Sequence, residues 1–294
     1  MDYGRQKRLI IIAAIIVGIW TVGPFFWLLW ASFMQTSELN QGIVKWLEDP
    51  TLQNYRRVFG LAGDDEGYDA IFGAQTRAVG IGFINSLLVA VPTAVIATAI
   101  ATLAGYAFGR FEFRGKTGFL FALLLTRVLP PVAILIPYFT LFRQVGLIGN
   151  PVSLIITYLT AIIPLLAWVL MGYFATLPLE VERAARLDGC SRLKVLWYVM
   201  LPMAAPGISA AFIIAFLFAW NELLFAIILT GGGKWQTLSP ALIGVSPIGA
   251  LGLTPMVVFA AASTLSIIPP VIMALIFQRY ITRLNIVDPV TVRA

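Results

Sequence analysis

Residues 180–202 read EVERAARLDGCSRLKVLWYVMLP, and they interrupt two long apolar runs, 152–174 and 204–230. Seven charged side chains fall between Glu180 and Lys194. Both neighbouring runs exceed the ~20 residues that carry a helix across ~30 Å of hydrocarbon. A charged segment between two such runs lies outside the membrane. Four more apolar runs occupy 9–33, 81–108, 118–142 and 254–277. The expected fold is all-α, a polytopic membrane protein with six transmembrane helices. It forms one transmembrane domain over 1–294, with 180–201 as helices outside the bilayer.

Composition agrees. The 294 residues are 60% hydrophobic and 12% charged, with a mean hydropathy of +0.90. Soluble domains carry about 25% charged residues. Cys190 is the one cysteine and there is no histidine. This excludes a disulfide framework, a His/Cys metal cluster and histidine acid–base catalysis. The net charge of +6 is spread between apolar runs. That is a membrane pattern and argues against a nucleic-acid partner. The first run follows Arg5, Lys7 and Arg8, is longer than the ~7–15 residues of a signal-peptide core, and lacks an A-x-A-like site. It reads as a retained anchor.

Lysine and arginine counts set the orientation. With both termini on one side, thirteen lie on that side and six on the other, leaving Arg127 inside a run. The richer side is cytoplasmic, and it includes 180–202. The acids Glu38, Glu48, Asp49, Asp64, Asp65, Glu66 and Asp69 fall on the other side. The second run carries Ala90, Ala94, Ala97, Ala101, Gly105 and Gly109, a register that admits a close helix neighbour. Pro130, Pro131 and Pro137 in the third run, and Pro269 and Pro270 in the sixth, predict kinks that free backbone carbonyls.

The polar stretch divides in two. Good helix formers run from Glu180 to Asp188, with Glu182 placed four residues before Arg186, the favoured order for an ion pair. Gly189 ends this helix and Ser191 caps the next. Leu193, Leu196, Trp197, Met200 and Leu201 then form an apolar stripe, and Pro202 and Pro206 lead into the fifth run. One reading is a solvated face with a helix lying in the interface. The other is a knob for a cytoplasmic partner. Val181, Ala184, Ala185 and Leu187 are mostly small, which suits a protein groove better than lipid.

The pattern Arg183-Ala184-Ala185, then Gly189, then Leu201-Pro202 resembles the EAA loop of ABC importer permeases. PTLQNYRR (50–57), TRVLPP (126–131) and FAWNE (218–222) resemble the carbohydrate branch, the maltose-type permeases. The resemblance implies the type I ABC importer permease fold. It implies an ATPase-coupling role for Glu182, Arg183, Ala184, Ala185, Asp188, Gly189 and Pro202. It also implies two ABC ATPase subunits that use ATP and Mg, a second homologous permease, an extracytoplasmic solute-binding protein and a sugar substrate. The setting implied is a bacterial or archaeal cytoplasmic membrane. In one respect the chain departs from the pattern: Arg183 occupies the family's glutamate position, with Glu182 one residue, about 100° of helix, earlier.

Arg127 and Glu222 are the charges placed within runs. Such residues face a cavity or a partner. Their depths from the cytoplasmic side differ, about 14 Å against about 24–27 Å, so a direct pair is not assumed. Arg127, Asn221 and Glu222 are read as lining a polar pathway. The alternative for Glu222 is that it caps or packs structurally against another subunit. An ion-coupled secondary transporter using Glu222 is the rival function, weakened by the single membrane carboxylate and the lack of duplicated halves. Gly231-Gly232-Gly233-Lys234 is not a P-loop, because the first glycine of that motif is missing and Trp235 follows the lysine. No cofactor is expected on this chain. By the resemblance, this tip of the loop Gly231–Gly252 meets the binding protein; the plainer reading is a flexible connector. The loop 34–77 is too short for a domain. The tail from Gln278, with Arg279 and Arg283, is a candidate further ATPase contact. Nothing in the sequence names the sugar.

Overall fold

A computed structural model describes residues 3–35, 49–61, 66–246 and 256–281. Eleven helices are described: α1 Tyr3–Ala31, α2 Gln53–Val58, α3 Glu66–Arg110, α4 Lys116–Leu125, α5 Pro131–Gln144, α6 Pro151–Thr176, α7 Leu179–Leu187, α8 Arg192–Asn221, α9 Leu224–Thr230, α10 Leu238–Val245 and α11 Met256–Ile281. No strand occurs among the described residues. Glu38, Lys45, Glu48, Asp64, Asp65, the loop end at 247–252 and the tail with Arg283 lie outside them.

Five helices are long and apolar enough to cross a membrane, within Lys7–Ala31, Phe72–Arg110, Pro151–Thr176, Arg192–Asn221 and Met256–Gln278. The third expected span is the exception. It is two shorter helices, α4 and α5, joined by a turn at Thr126–Pro130. The reason is local. A residue before proline is driven out of the α region, and Leu129 and Pro130 both precede one. Pro130 is extended, with φ −62° and ψ 134°, and Pro131 opens α5 at the position where a missing N–H costs nothing. The fifth span is likewise cut. α8 stops at Asn221, Glu222 is extended at ψ 132°, and α9 starts afresh.

Two compact units are present. The first comprises 1–84 and 236–268; the second comprises 85–235 and 269–294. α3 and α11 contribute to both. In the first unit the Asn54 amide donates to the carbonyls of Ser32 and Met34, each at 2.9 Å, which pins α2 to the end of α1.

The second unit is built on α6, which touches α4, α8 and α9. The small-residue register of α3 is used as expected. Ala90, Ala94, Ala97 and Ala101 are fully buried. At Gly105 and Gly109 α3 meets the backbone of α6 so closely that an added Cβ at Gly105 would lie 2.7 Å from Leu170 Cβ. Gly207 of α8 is similarly covered by the Tyr173 ring of α6.

Candidate functional site

The polar elbow begins with α7. Pro178 starts the helix, and Glu180 and Glu182 sit in its first turn, where carboxylates complement the helix dipole. Gly189 ends it with φ +83°, a left-handed conformation that costs glycine nothing. The Cys190 amide reaches back to the Ala185 carbonyl at 3.1 Å, closing a Schellman-type stop. The Ser191 hydroxyl accepts from the Lys194 amide at 3.4 Å and caps α8.

Glu182 turns inward. It is 8% exposed, and its Oε1 accepts from the Tyr106 hydroxyl at 3.1 Å. Its Oε2 lies 3.4 Å from Arg110 Nε. Arg110 also donates from Nη2 to the Leu177 carbonyl at 2.8 Å. The last turn of α3 therefore grips α7 at its entry and within its first turn. The pair expected within α7, Glu182 with Arg186, does not form; the carboxylate goes to α3 instead. Tyr106 is itself wedged edge-on between Phe111 and Phe174, with centroids at 5.3 and 5.5 Å. Reading the sequence did not single out Tyr106 and Arg110. Their signal is a Tyr and an Arg four apart at the polar end of an apolar helix.

The outer face of α7 is bare. Val181, Arg183, Ala184, Arg186 and Asp188 are exposed, and Leu187 is 88% exposed. The expected stripe on α8 splits: Leu196 and Met200 are buried, whereas Leu193 and Trp197 are exposed. A π turn over Leu196–Met200 shifts the phase. It lies just before Pro202, which has no N–H to offer the Tyr198 carbonyl and crowds it; the wider turn relieves that contact.

The second candidate region is a cavity of about 480 Å³ whose lining includes Arg127, Tyr138, Thr160, Phe218 and Glu222. The break in the third span helps bring Arg127 and Glu222 to one cavity, which a straight helix would not predict. No ion pair joins them among the described residues. Arg127 Nη1 donates to the Ala161 carbonyl at 2.7 Å, and the Tyr138 and Thr160 hydroxyls bond at 2.6 Å. Glu222 serves as a cap. Its Oε1 accepts from the Phe225 amide at 3.0 Å. Its Oε2 accepts from the Ala226 amide at 3.1 Å and the Tyr158 hydroxyl at 2.8 Å. Asn221 is exposed and bonds back to the Leu217 carbonyl at 2.9 Å. Glu222→Ala is expected to strand two amides and a hydroxyl, lowering stability by ~1–3 kcal/mol. Glu222→Gln, which keeps an acceptor oxygen, recovers part of that loss. Thermal unfolding of the purified protein in detergent checks the order; an alanine variant as stable as the parent would contradict it.

Gly231 to Lys234 form a hydrogen-bonded turn. Gly233 N–H donates to the Thr230 carbonyl at 3.2 Å, and the Lys234 carbonyl accepts from the Asn85 amide at 3.0 Å. All four residues are exposed.

Apolar helices long enough to span, a broken helix beside a largely apolar cavity that Arg127 and Glu222 enter, and an anchored polar elbow fit a membrane permease. Residues 100–285 match the family described as binding-protein-dependent transport system inner membrane component. The chain is 31% identical to the trehalose/maltose transport system permease protein MalG of Thermococcus litoralis, over 94% of each chain. It is 32% identical to the trehalose transport system permease protein SugB of Mycobacterium tuberculosis, over 96% of each. A crystal structure of a bacterial ABC transporter involved in import of the acidic polysaccharide alginate has the same fold, with TM-score 0.67 and 23% identity over 96% of this chain and 99% of that one. The chain belongs to this family of ABC importer permeases. It is a multi-pass permease subunit, and its family works with an ATPase, which uses ATP and Mg, and with a solute-binding protein. Membership displaces the ion-coupled carrier reading.

Proposed function

We infer that this chain is one of two homologous permease subunits through which an ATP-driven importer of the bacterial or archaeal cytoplasmic membrane takes up a sugar or oligosaccharide. Both termini are cytoplasmic, and two ATPase subunits complete the inner side. The observation that carries the sugar assignment is end-to-end similarity to permeases named for trehalose and maltose. Residues 180–202 are the ATPase-coupling element. The face at Arg183, Ala184, Asp188 and Gly189, exposed, with the half-buried Ala185, meets the ATPase, Glu182 anchors that face to α3, and Pro202 joins the elbow to the spanning part of α8. The cavity lined by Arg127 and Glu222, together with the neighbouring exposed Asn221, borders the route. The turn Gly231-Gly232-Gly233-Lys234 meets the binding protein.

Reconstitution in liposomes tests this. Labelled trehalose or maltose is expected to enter with ATPase, second permease, binding protein and ATP, and not by this chain alone under an ion gradient. Uptake by the lone chain would overturn the proposal.

Gly189→Val probes the coupling element. An added Cβ at Gly189 meets nothing within 4 Å, so its cost is conformational. A left-handed β-branched residue costs ~1–2 kcal/mol and loosens the last turn of α7. Uptake is expected to fall several-fold with membrane insertion intact; unchanged uptake would remove Gly189 from coupling.

A further inference from the structure

Beside α7 lies an open pocket of about 320 Å³, lined by Arg110, Phe111, Glu112, Leu179, Glu182, Arg183, Arg186 and Arg192. Its acids are already engaged. Glu182 is held by Tyr106 and Arg110, and Glu112 accepts from Lys116 at 2.8 Å. Of its cations, Arg110 is engaged with Glu182, and the other three are not. Among the described residues neither Arg183 nor Arg186 has an acidic partner, and both are exposed. Arg192 lies over the Phe111 ring at 5.2 Å, which fixes one guanidinium at the rim without neutralising it. The pocket thus combines an apolar floor, Phe111 and Leu179, with three uncompensated guanidinium groups. Such a site suits a carboxylate on a short apolar stem, because guanidinium forks bind carboxylates with two hydrogen bonds.

We propose that this pocket receives an acidic side chain of the ATPase partner, so that the permease contributes the positive charge to their contact. This rests on the reading of 180–202 as the docking element, and adds to it the sign and chemistry of the contact. A phosphate of an anionic lipid is the competing occupant. It is disfavoured because Glu180 and Asp188, also exposed on α7, would repel a continuous anionic surface, whereas a single carboxylate can be seated between them.

The test uses the full assembly in nanodiscs, with the ATPase identified by mass spectrometry. Arg183→Glu with Arg186→Glu is expected to weaken ATPase retention about tenfold or more and to abolish its salt sensitivity, as loss of a complementary charge does. Exchanging the ATPase's acidic residue nearest a photo-cross-linker at position 183 for lysine is expected to restore retention. Retention unaffected by the reversal, while a cross-linker at Leu187 still labels the ATPase, would overturn the charge proposal and leave docking standing. No labelling from either position would overturn both. If the reversal acts only in phosphatidylglycerol nanodiscs and not in phosphatidylcholine ones, the occupant is lipid and the proposal fails.

Discussion

Glu182→Ala is expected to release the polar elbow from α3 and to abolish ATP-driven uptake. The substitution removes the acceptor for Tyr106 and leaves Arg110, whose side chain is 6% exposed, as a buried cation with only the Leu177 carbonyl. Removing one partner of a buried ion pair costs about 3–5 kcal/mol, most of it the uncompensated charge. That exceeds anything a nine-residue helix can recover from its own hydrogen bonds. Amide exchange over 179–189 is expected to accelerate, with the protein still inserted. Adding Arg110→Met removes the stranded charge and should restore much of the stability. It should not restore uptake, because the polar link from elbow to α3 is still missing. Normal exchange in the single variant would show that Glu182 is not an anchor.

Gly105→Val acts on the same joint from the membrane side. The new Cβ would sit 2.7 Å from Leu170 Cβ and 3.0 Å from the Leu170 carbonyl carbon and the Met171 nitrogen. Two of these are backbone atoms, so no rotamer change relieves the clash and α3 must move off α6. Overpacking of this kind costs ~1–3 kcal/mol, with the upper end expected where backbone resists. Tyr106 and Arg110 follow at the next residue and five on, so the displacement also breaks the grip on Glu182. Yield of folded protein and uptake should both fall sharply, with Gly105→Ala in between. A valine variant with parental yield and uptake would contradict the close packing.

What the sequence revealed followed from the range of each interaction. The stop at Gly189 and the cap at Ser191 are local, and both were readable from a few residues. The small-residue register of α3 was readable because its spacing alone states how near a neighbour comes. A kink at Pro130 was readable from its prolines, but the full split of the third run and the break at Glu222 were not, since an apolar run reports what surrounds the chain and says little about whether its backbone is continuous. The inward turn of Glu182 was hidden because its partner Tyr106 is 76 residues away. A nearby Arg186 offered a plausible local alternative. The stripe on α8 divides because the rest of the chain covers only its Leu196 and Met200 side, and the spacing of apolar residues does not say which of them find cover.

The central claim is that the elbow at 180–202 is held by a nucleotide-hydrolysing subunit. A photo-cross-linking residue at position 187, where Leu187 stands almost free of the rest of the chain at 88% exposure, addresses it in the intact assembly. The account predicts one dominant adduct, to the ATPase, lost when Glu182→Ala frees the elbow. Adducts only to lipid, or none to the ATPase in an assembly that still transports, would contradict it.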